Sequence, residues 1–161
     1  MSRQSRTWRS HGDKESLVRA MRDTAPDLIL HLGDHYSDCR AVRETFPLIP
    51  LRAVRGNCDR SGGEAENDEF VVEGKRIFMT HGHLYGVKYQ LGDLVNNAML
   101  RGADILLFGH THRACLTEQD GLYIMNPGSI GASEHTYGLI SIAGGAVHCV
   151  LKYLYRDPRN D

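Results

Sequence analysis

Four short apolar runs of strand length each end abruptly in glycine and in side chains that carry chemistry, and this recurrence constrains the fold more than any other feature. Residues 27–32 lead into Gly33-Asp34, and residues 51–54 into Gly56-Asn57-Cys58-Asp59. Residues 76–80 lead into His81-Gly82-His83, and residues 105–108 into Gly109-His110-Thr111-His112. Continuous apolar runs are the mark of strands buried on both faces, and sheets interleaved with helices gather functional groups at the carboxyl ends of their strands. Helical patterns over 13–25, 38–45 and 87–100 separate the runs; the last places Leu91, Leu94, Val95, Ala98 and Met99 on one side. The later half is richer in strands: a hairpin at 70–73 and 76–80, strands at 114–117 and 122–125 about Asp120-Gly121, then 137–142 and 147–154. Such an order predicts an α/β protein with mixed sheets. Residues 2–10 hold Arg3, Arg6 and Arg9 with Trp8 as the sizeable apolar side chain, which predicts a loose arm in place of a buried strand. Neither a repeat nor a linker divides the chain, so its 161 residues are expected to form one domain.

Composition narrows the function classes. Hydrophobic residues make up 41% and charged residues 24%, ordinary values for a globular protein. A net charge of −1 supplies no basic field for an obligate nucleic-acid partner. The apolar runs fall far short of the roughly 20 residues that span a membrane, and the positive N-terminus has no apolar segment behind it. Four cysteines without a Cys-x-x-Cys pair are expected to be reduced thiols in a cytoplasmic protein. Nine histidines are the distinctive feature, because neutral imidazole is a common metal ligand.

On an extended backbone, residues two apart face the same side, so His110 and His112 can address one site, as can His81 and His83. Gly109 lets backbone approach a ligand closely. Asp34 offers two oxygens that can bridge two cations, or else caps the helix that follows. Asn57 offers a neutral amide oxygen, or else serves the turn after Gly56. His31 is expected to pack in the sheet, and His35 is left open. A donor set of His, Asp and Asn suits Mn²⁺, Fe²⁺, Ni²⁺ or Zn²⁺. Paired ions clamp the attacking and leaving oxygens of a phosphoryl displacement and turn bound water into a hydroxide nucleophile near neutral pH.

The runs His31-Leu32-Gly33-Asp34, Val54-Arg55-Gly56-Asn57-Cys58-Asp59, Thr80-His81-Gly82-His83-Leu84-Tyr85-Gly86, Phe108-Gly109-His110-Thr111-His112 and Asn126-Pro127-Gly128-Ser129 resemble, in this order, those of calcineurin-like metallophosphoesterases of the small bacterial and archaeal phosphodiesterase branch. The resemblance extends from Ser10 to about Ser141. It implies a four-layer α/β/β/α sandwich of two mixed sheets. It also implies that Asp34 bridges two metals, that Asn57, His81 and His110 complete one, and that His11 and His112 serve the other. Asp59 is then a support of the centre, with Asp34, Asn57, Asp59 and His81 as the catalytic set. His83 and the loop from Asn126 to Ser129 are expected to shape the rim. The implied activity is hydrolysis of a phosphodiester, or of a monoester, with Mn²⁺ as the favoured ion and a small phosphate ester or nucleotide as substrate. In the wider superfamily a His that aids the leaving group often follows the Asn; Cys58 stands there in this chain.

One departure is pronounced. The family begins with an apolar strand ending in Asp-x-His-Gly, and this chain has Arg9-Ser10-His11-Gly12 behind a polar stretch. The first strand is therefore expected to be missing or degraded, and the metal position served by His11 loses an anionic ligand. One well-bound ion and a second bound weakly or not at all are then expected, with reduced activity. The competing expectation is a catalytically impaired interaction module of the same fold, as in the retromer subunit. Tyr85, Lys88 and Tyr89 follow the His81 motif and either line the entrance or begin a helix. The late strands offer a route to a homodimer.

Overall fold

A computed structural model describes residues 3–8, 14–59, 64–131 and 135–154. The first sheet holds β1 (Arg3–Trp8), β2 (Leu28–His31), β3 (Leu51–Ala53), β9 (Thr136–Ala143) and β10 (Ala146–Tyr153), in the order β10-β9-β1-β2-β3. The second holds β4 (Asn67–Val72), β5 (Lys75–Thr80), β6 (Ile105–Phe108), β7 (Cys115–Gln119) and β8 (Leu122–Asn126), in the order β4-β5-β6-β8-β7. Helices α1 (Lys14–Arg22) and α2 (Ser37–Thr45) belong to the first half, and α3 (Gly92–Leu100) lies between β5 and β6 in the chain. Both sheets mix parallel and antiparallel pairs.

Strand alternation explains the layers. Leu30, Ile77, Met79, Ile105, Leu107, Met125 and Ile140 fill the space between the sheets. Their neighbours point the other way. Ile29 meets Ala20, Met21 and Val42 of α1 and α2, while Phe78, Leu106, Phe108 and Ile124 meet Leu94, Val95 and Ala98 of α3. β2, β5 and β6 are largely buried on both faces, which is why their sequences are nearly continuous apolar runs. The result is the expected four-layer α/β/β/α sandwich of two mixed sheets. Among the described residues, no helix is long and apolar enough to cross a membrane.

Two expectations need correction. Arg3–Trp8 is not a loose arm: it is the central strand of the first sheet, parallel to β2 and antiparallel to β9. The strand is degraded in composition but present. Its composition opposes burial, yet β2 and β9 each present a row of peptide groups that would otherwise be unpaired inside the molecule. Backbone pairing outweighs side-chain polarity here. The cost shows at Ser5, which is fully buried opposite Leu28 and Ile140 and whose Oγ has no hydrogen-bond partner among the described residues. A hydroxyl buried in this way costs about 1–3 kcal/mol. Ser5→Ala is accordingly expected to raise stability by about 1 kcal/mol, read as a higher urea midpoint at unchanged slope; a lower midpoint would refute the assignment.

The second correction concerns residues 87–100. Only Gly92–Leu100 is α-helical, preceded by a 3-10 turn at His83–Tyr85 and by Gly86 in the left-handed region at φ 61°. The apolar side chains assigned to one face do pack together behind the second sheet. Their common burial does not require one continuous helix, because Val87 and Leu91 reach the same cluster from the loop.

Candidate metal centre

The loops after β2, β3, β5 and β6 meet at one end of the sandwich. His81, directly after β5, is fully buried. Its Nδ1 lies 2.7 Å from the carbonyl oxygen of Leu32. A carbonyl only accepts, so Nδ1 carries the proton and donates, leaving Nε2 as a lone pair in the neutral ring. Around that lone pair stand Asn57 Oδ1 at 3.0 Å, His110 Nδ1 at 3.1 Å and Asp34 Oδ1 at 3.6 Å. Asp34 is also fully buried. The carboxylate, the amide oxygen and the imidazole nitrogens converge on one point, where each could offer a lone pair to a cation.

The spacing fits that role. Ligands of one ion with bonds of about 2.1 Å stand roughly 3.0–3.4 Å from each other. Two of the three separations at His81 Nε2 fall in this range, and the third is slightly wider. Among the described residues, no three His, Cys, Asp or Glu side chains form a metal-holding group by themselves. The amide oxygen of Asn57 would complete such a set, and the Asp34 separation is the widest of the three. Oxygen and nitrogen donors without sulfur suit hard-to-borderline divalent ions.

The scaffold around the donors is specific. Asp59 Oδ2 accepts hydrogen bonds from the backbone N–H of Asp34 at 2.8 Å and of Gly56 at 2.9 Å. Asp59 Oδ1 accepts from Tyr36 N at 2.9 Å. One carboxylate thus ties the β2 loop to the β3 loop. Asp34 Oδ1 in turn accepts from Cys58 N at 2.9 Å. Gly33, Asp34 and His35 lie in succession at φ 87°, 59° and 57°, and His110 and His112 at 66° and 59°. Left-handed backbone at non-glycine residues is strained, and such strain persists where surrounding contacts enforce it.

That backbone corrects the reason given for the His pairs. The loops are not extended, and His110 is delivered to the cluster by a left-handed turn. His83 begins the 3-10 turn with its ring centroid 5.3 Å from that of His81 and 6.2 Å from that of His110. His112 lies partly buried in the His110 loop. His11 and Arg9 lie outside the described residues. His31 is fully buried, its Nδ1 accepting from Gly33 N at 3.3 Å; His35 is exposed. Cys58 is exposed beside Asn57, whose Nδ2 donates to its Sγ at 3.4 Å.

Asn126 does not shape a rim. Fully buried, it donates from Nδ2 to Gly109 O at 3.1 Å and Thr111 Oγ1 at 2.9 Å, and accepts from Gly128 N at 3.0 Å. It clamps the His110 loop from behind. Nothing in its sequence context distinguishes this from a turn; the signal lies in the partner loop. Asn126→Ala is expected to weaken Mn²⁺ binding about 10–100-fold, the usual effect of losing a ligand's support. Titration of the metal-stripped protein reads this directly, and unchanged affinity would remove the clamp.

The calcineurin-like phosphoesterase superfamily domain matches residues 7–145. A probable metallophosphoesterase of Bacillus subtilis (strain 168), YsnB, is 35% identical over 123 residues, 75% of this chain and 70% of that protein. The phosphodiesterase YfcE of Escherichia coli (strain K12) is 32% identical over 100 residues, 55% of this chain and half of YfcE. The crystal structure of a conserved Streptococcus pneumoniae protein, a predicted phosphoesterase, superposes with a TM-score of 0.77 at 24% identity, covering 98% of this chain and 95% of that one. The chain belongs to the calcineurin-like phosphoesterase superfamily.

Proposed function

We propose that this chain is a metal-dependent phosphodiesterase in which Asp34, Asn57, His81 and His110 hold one divalent ion and Asp34, His11 and His112 serve a second. The observation that carries it is the convergence of Asn57 Oδ1, His110 Nδ1 and Asp34 Oδ1 on the lone pair of His81. Mn²⁺ is the favoured ion, with Ni²⁺, Fe²⁺ and Zn²⁺ sharing the donor preference. Bound there, the metals supply Lewis acidity toward the phosphate oxygens and an activated water.

The chain's own residues do the rest. Leu32 O holds His81 in the tautomer that presents Nε2. Asp59 keeps the loops bearing Asp34 and Asn57 in register. Burial of Asp34 and His81 strengthens their interaction with any charge placed between them. Cys58 occupies the place after Asn57, so protonation of the leaving group is assigned to solvent water. Four free cysteines suit a reducing compartment such as the cytoplasm.

Arg9 stands where the family has an aspartate, so the second metal position keeps Asp34 but has one anionic ligand fewer and binds its ion weakly or not at all. Metal analysis after saturation with Mn²⁺ is expected to give one tightly held ion per chain; two tightly held ions would contradict this. The activity itself is tested with bis(p-nitrophenyl) phosphate and metal-stripped protein reloaded with Mn²⁺, with Arg9→Asp alongside. Turnover by the parent protein establishes the enzyme. Turnover by Arg9→Asp alone identifies a disabled phosphodiesterase, and silence in both refutes the proposal.

A further inference from the structure

A cavity of about 410 Å³ opens beside the His110 loop, lined by Val87, Lys88, Leu91, Phe108, Thr111, Arg113 and Cys115. None of the four converging donors lines it. What connects the two places is Thr111, which lies between His110 and His112 in the chain and is clamped by Asn126. Val87 and Phe108 are buried, and with Leu91 and Cys115 they give the cavity an apolar floor. Lys88 and Arg113 are exposed at its edge. Among the described residues neither forms an ion pair, whereas Arg40, Arg52, Arg55, Arg76 and Arg101 each hold a carboxylate. Two cations with no ion-pair partner among the described residues therefore flank an apolar depression that adjoins the His110 loop. Tyr85 does not line it: its ring packs edge-on against Phe78, centroids 6.4 Å apart. Tyr89 is almost wholly exposed.

The geometry points to this cavity as the seat of the arm of the substrate that does not react: an aromatic organic group bearing an anion of its own, as in a phosphorylated nucleoside or an aryl phosphate. The assignment rests on the phosphodiesterase reading for its place in the reaction. Its volume falls in the range of about 300–1,000 Å³ usual for small-molecule sites, where an apolar lining supplies affinity and a few polar groups supply orientation. A flat ring laid against the partly buried Leu91 and Cys115 buries its own apolar surface and theirs, which water otherwise covers. A phosphate or carboxylate on that ring then meets Lys88 and Arg113, the latter able to engage it with two parallel N–H donors. A neutral arm gains the floor and forgoes the cations, and inorganic phosphate does the reverse.

Binding without metal or turnover separates this cavity from the metal centre. The full chain, stripped of metal and kept in chelator, is titrated calorimetrically with 1-naphthyl phosphate, 1-naphthol and inorganic phosphate. The aryl phosphate is expected to bind saturably and about tenfold more tightly than either fragment, and to weaken about tenfold in the Lys88→Ala, Arg113→Ala double variant, as suits exposed charges. Naphthol binding as tightly as its phosphate would overturn the assignment, as would equal affinity in parent and variant or no binding at all. Because no catalysis is read, failure here leaves hydrolysis of bis(p-nitrophenyl) phosphate standing or falling by its own measurement.

Discussion

His81→Ala is expected to lose metal-dependent hydrolysis of bis(p-nitrophenyl) phosphate by at least about 10³-fold, and with it the tightly held metal ion. The size follows from the several kcal/mol that a site metal contributes and from about 1.36 kcal/mol for each tenfold in rate. His81 is the geometric centre of the cluster: its Nε2 is the atom to which Asn57, His110 and Asp34 all approach. Its removal also leaves the carbonyl of Leu32 without the 2.7 Å bond and opens a void at a fully buried position, so some loss of stability accompanies it. His110→Ala separates the two effects. His110 is only partly buried, so its removal is expected to abolish metal binding with a much smaller change in melting temperature. Activity and metal content that survive in both variants would place the chemistry at another site, or in a contaminant.

Much of the fold was legible because its central strands are buried on both faces. The run at 105–108 is a strand with those bounds, and the candidate site residues do sit at or just beyond the carboxyl ends of β2, β3, β5 and β6. The first strand was not legible, since Ser5 and the arginines around it contradict burial and the strand exists through the pairing demands of β2 and β9. Residue types could nominate Asp34, Asn57, His81 and His110, but not the left-handed backbone that aims Asp34 and His110. Aspartate and histidine tolerate φ > 0 without announcing it. The supporting contacts were hidden for a different reason: Asp59 and Asn126 act across 25 and 17 residues of sequence. Periodicity is blind to a bond between two loops.

Glycine at position 56 belongs to that hidden class, and Gly56→Ala is expected to be among the most damaging small substitutions in the protein. A Cβ there would stand 2.0 Å from Asp34 Oδ1 and 2.4 Å from Asp34 N. The second contact is backbone, so no rotamer change relieves it. Gly56 is not among the residues with positive φ, and the penalty is therefore steric rather than conformational. The carboxylate displaced is the one proposed to bridge both metal positions, and the amide displaced is one that Asp59 accepts. Overpacking of this kind costs about 3 kcal/mol, which for a chain of this length lowers the melting temperature by roughly 6–12 °C. Mn²⁺ affinity is expected to fall at least about 100-fold, since an ill-placed support alone costs about 10–100-fold and here the proposed ligand itself moves. Gly92→Ala provides the contrast: its Cβ would meet nothing within 4 Å, it sits at the start of α3, and alanine there is expected to raise stability by about 0.5–1 kcal/mol. Scanning calorimetry and metal titration of the two variants separate contact from flexibility. If both glycines tolerate alanine equally, the close approach of the β2 and β3 loops is not what holds Asp34 in place; if only Gly56 fails, the bridge depends on the absence of a single methyl group.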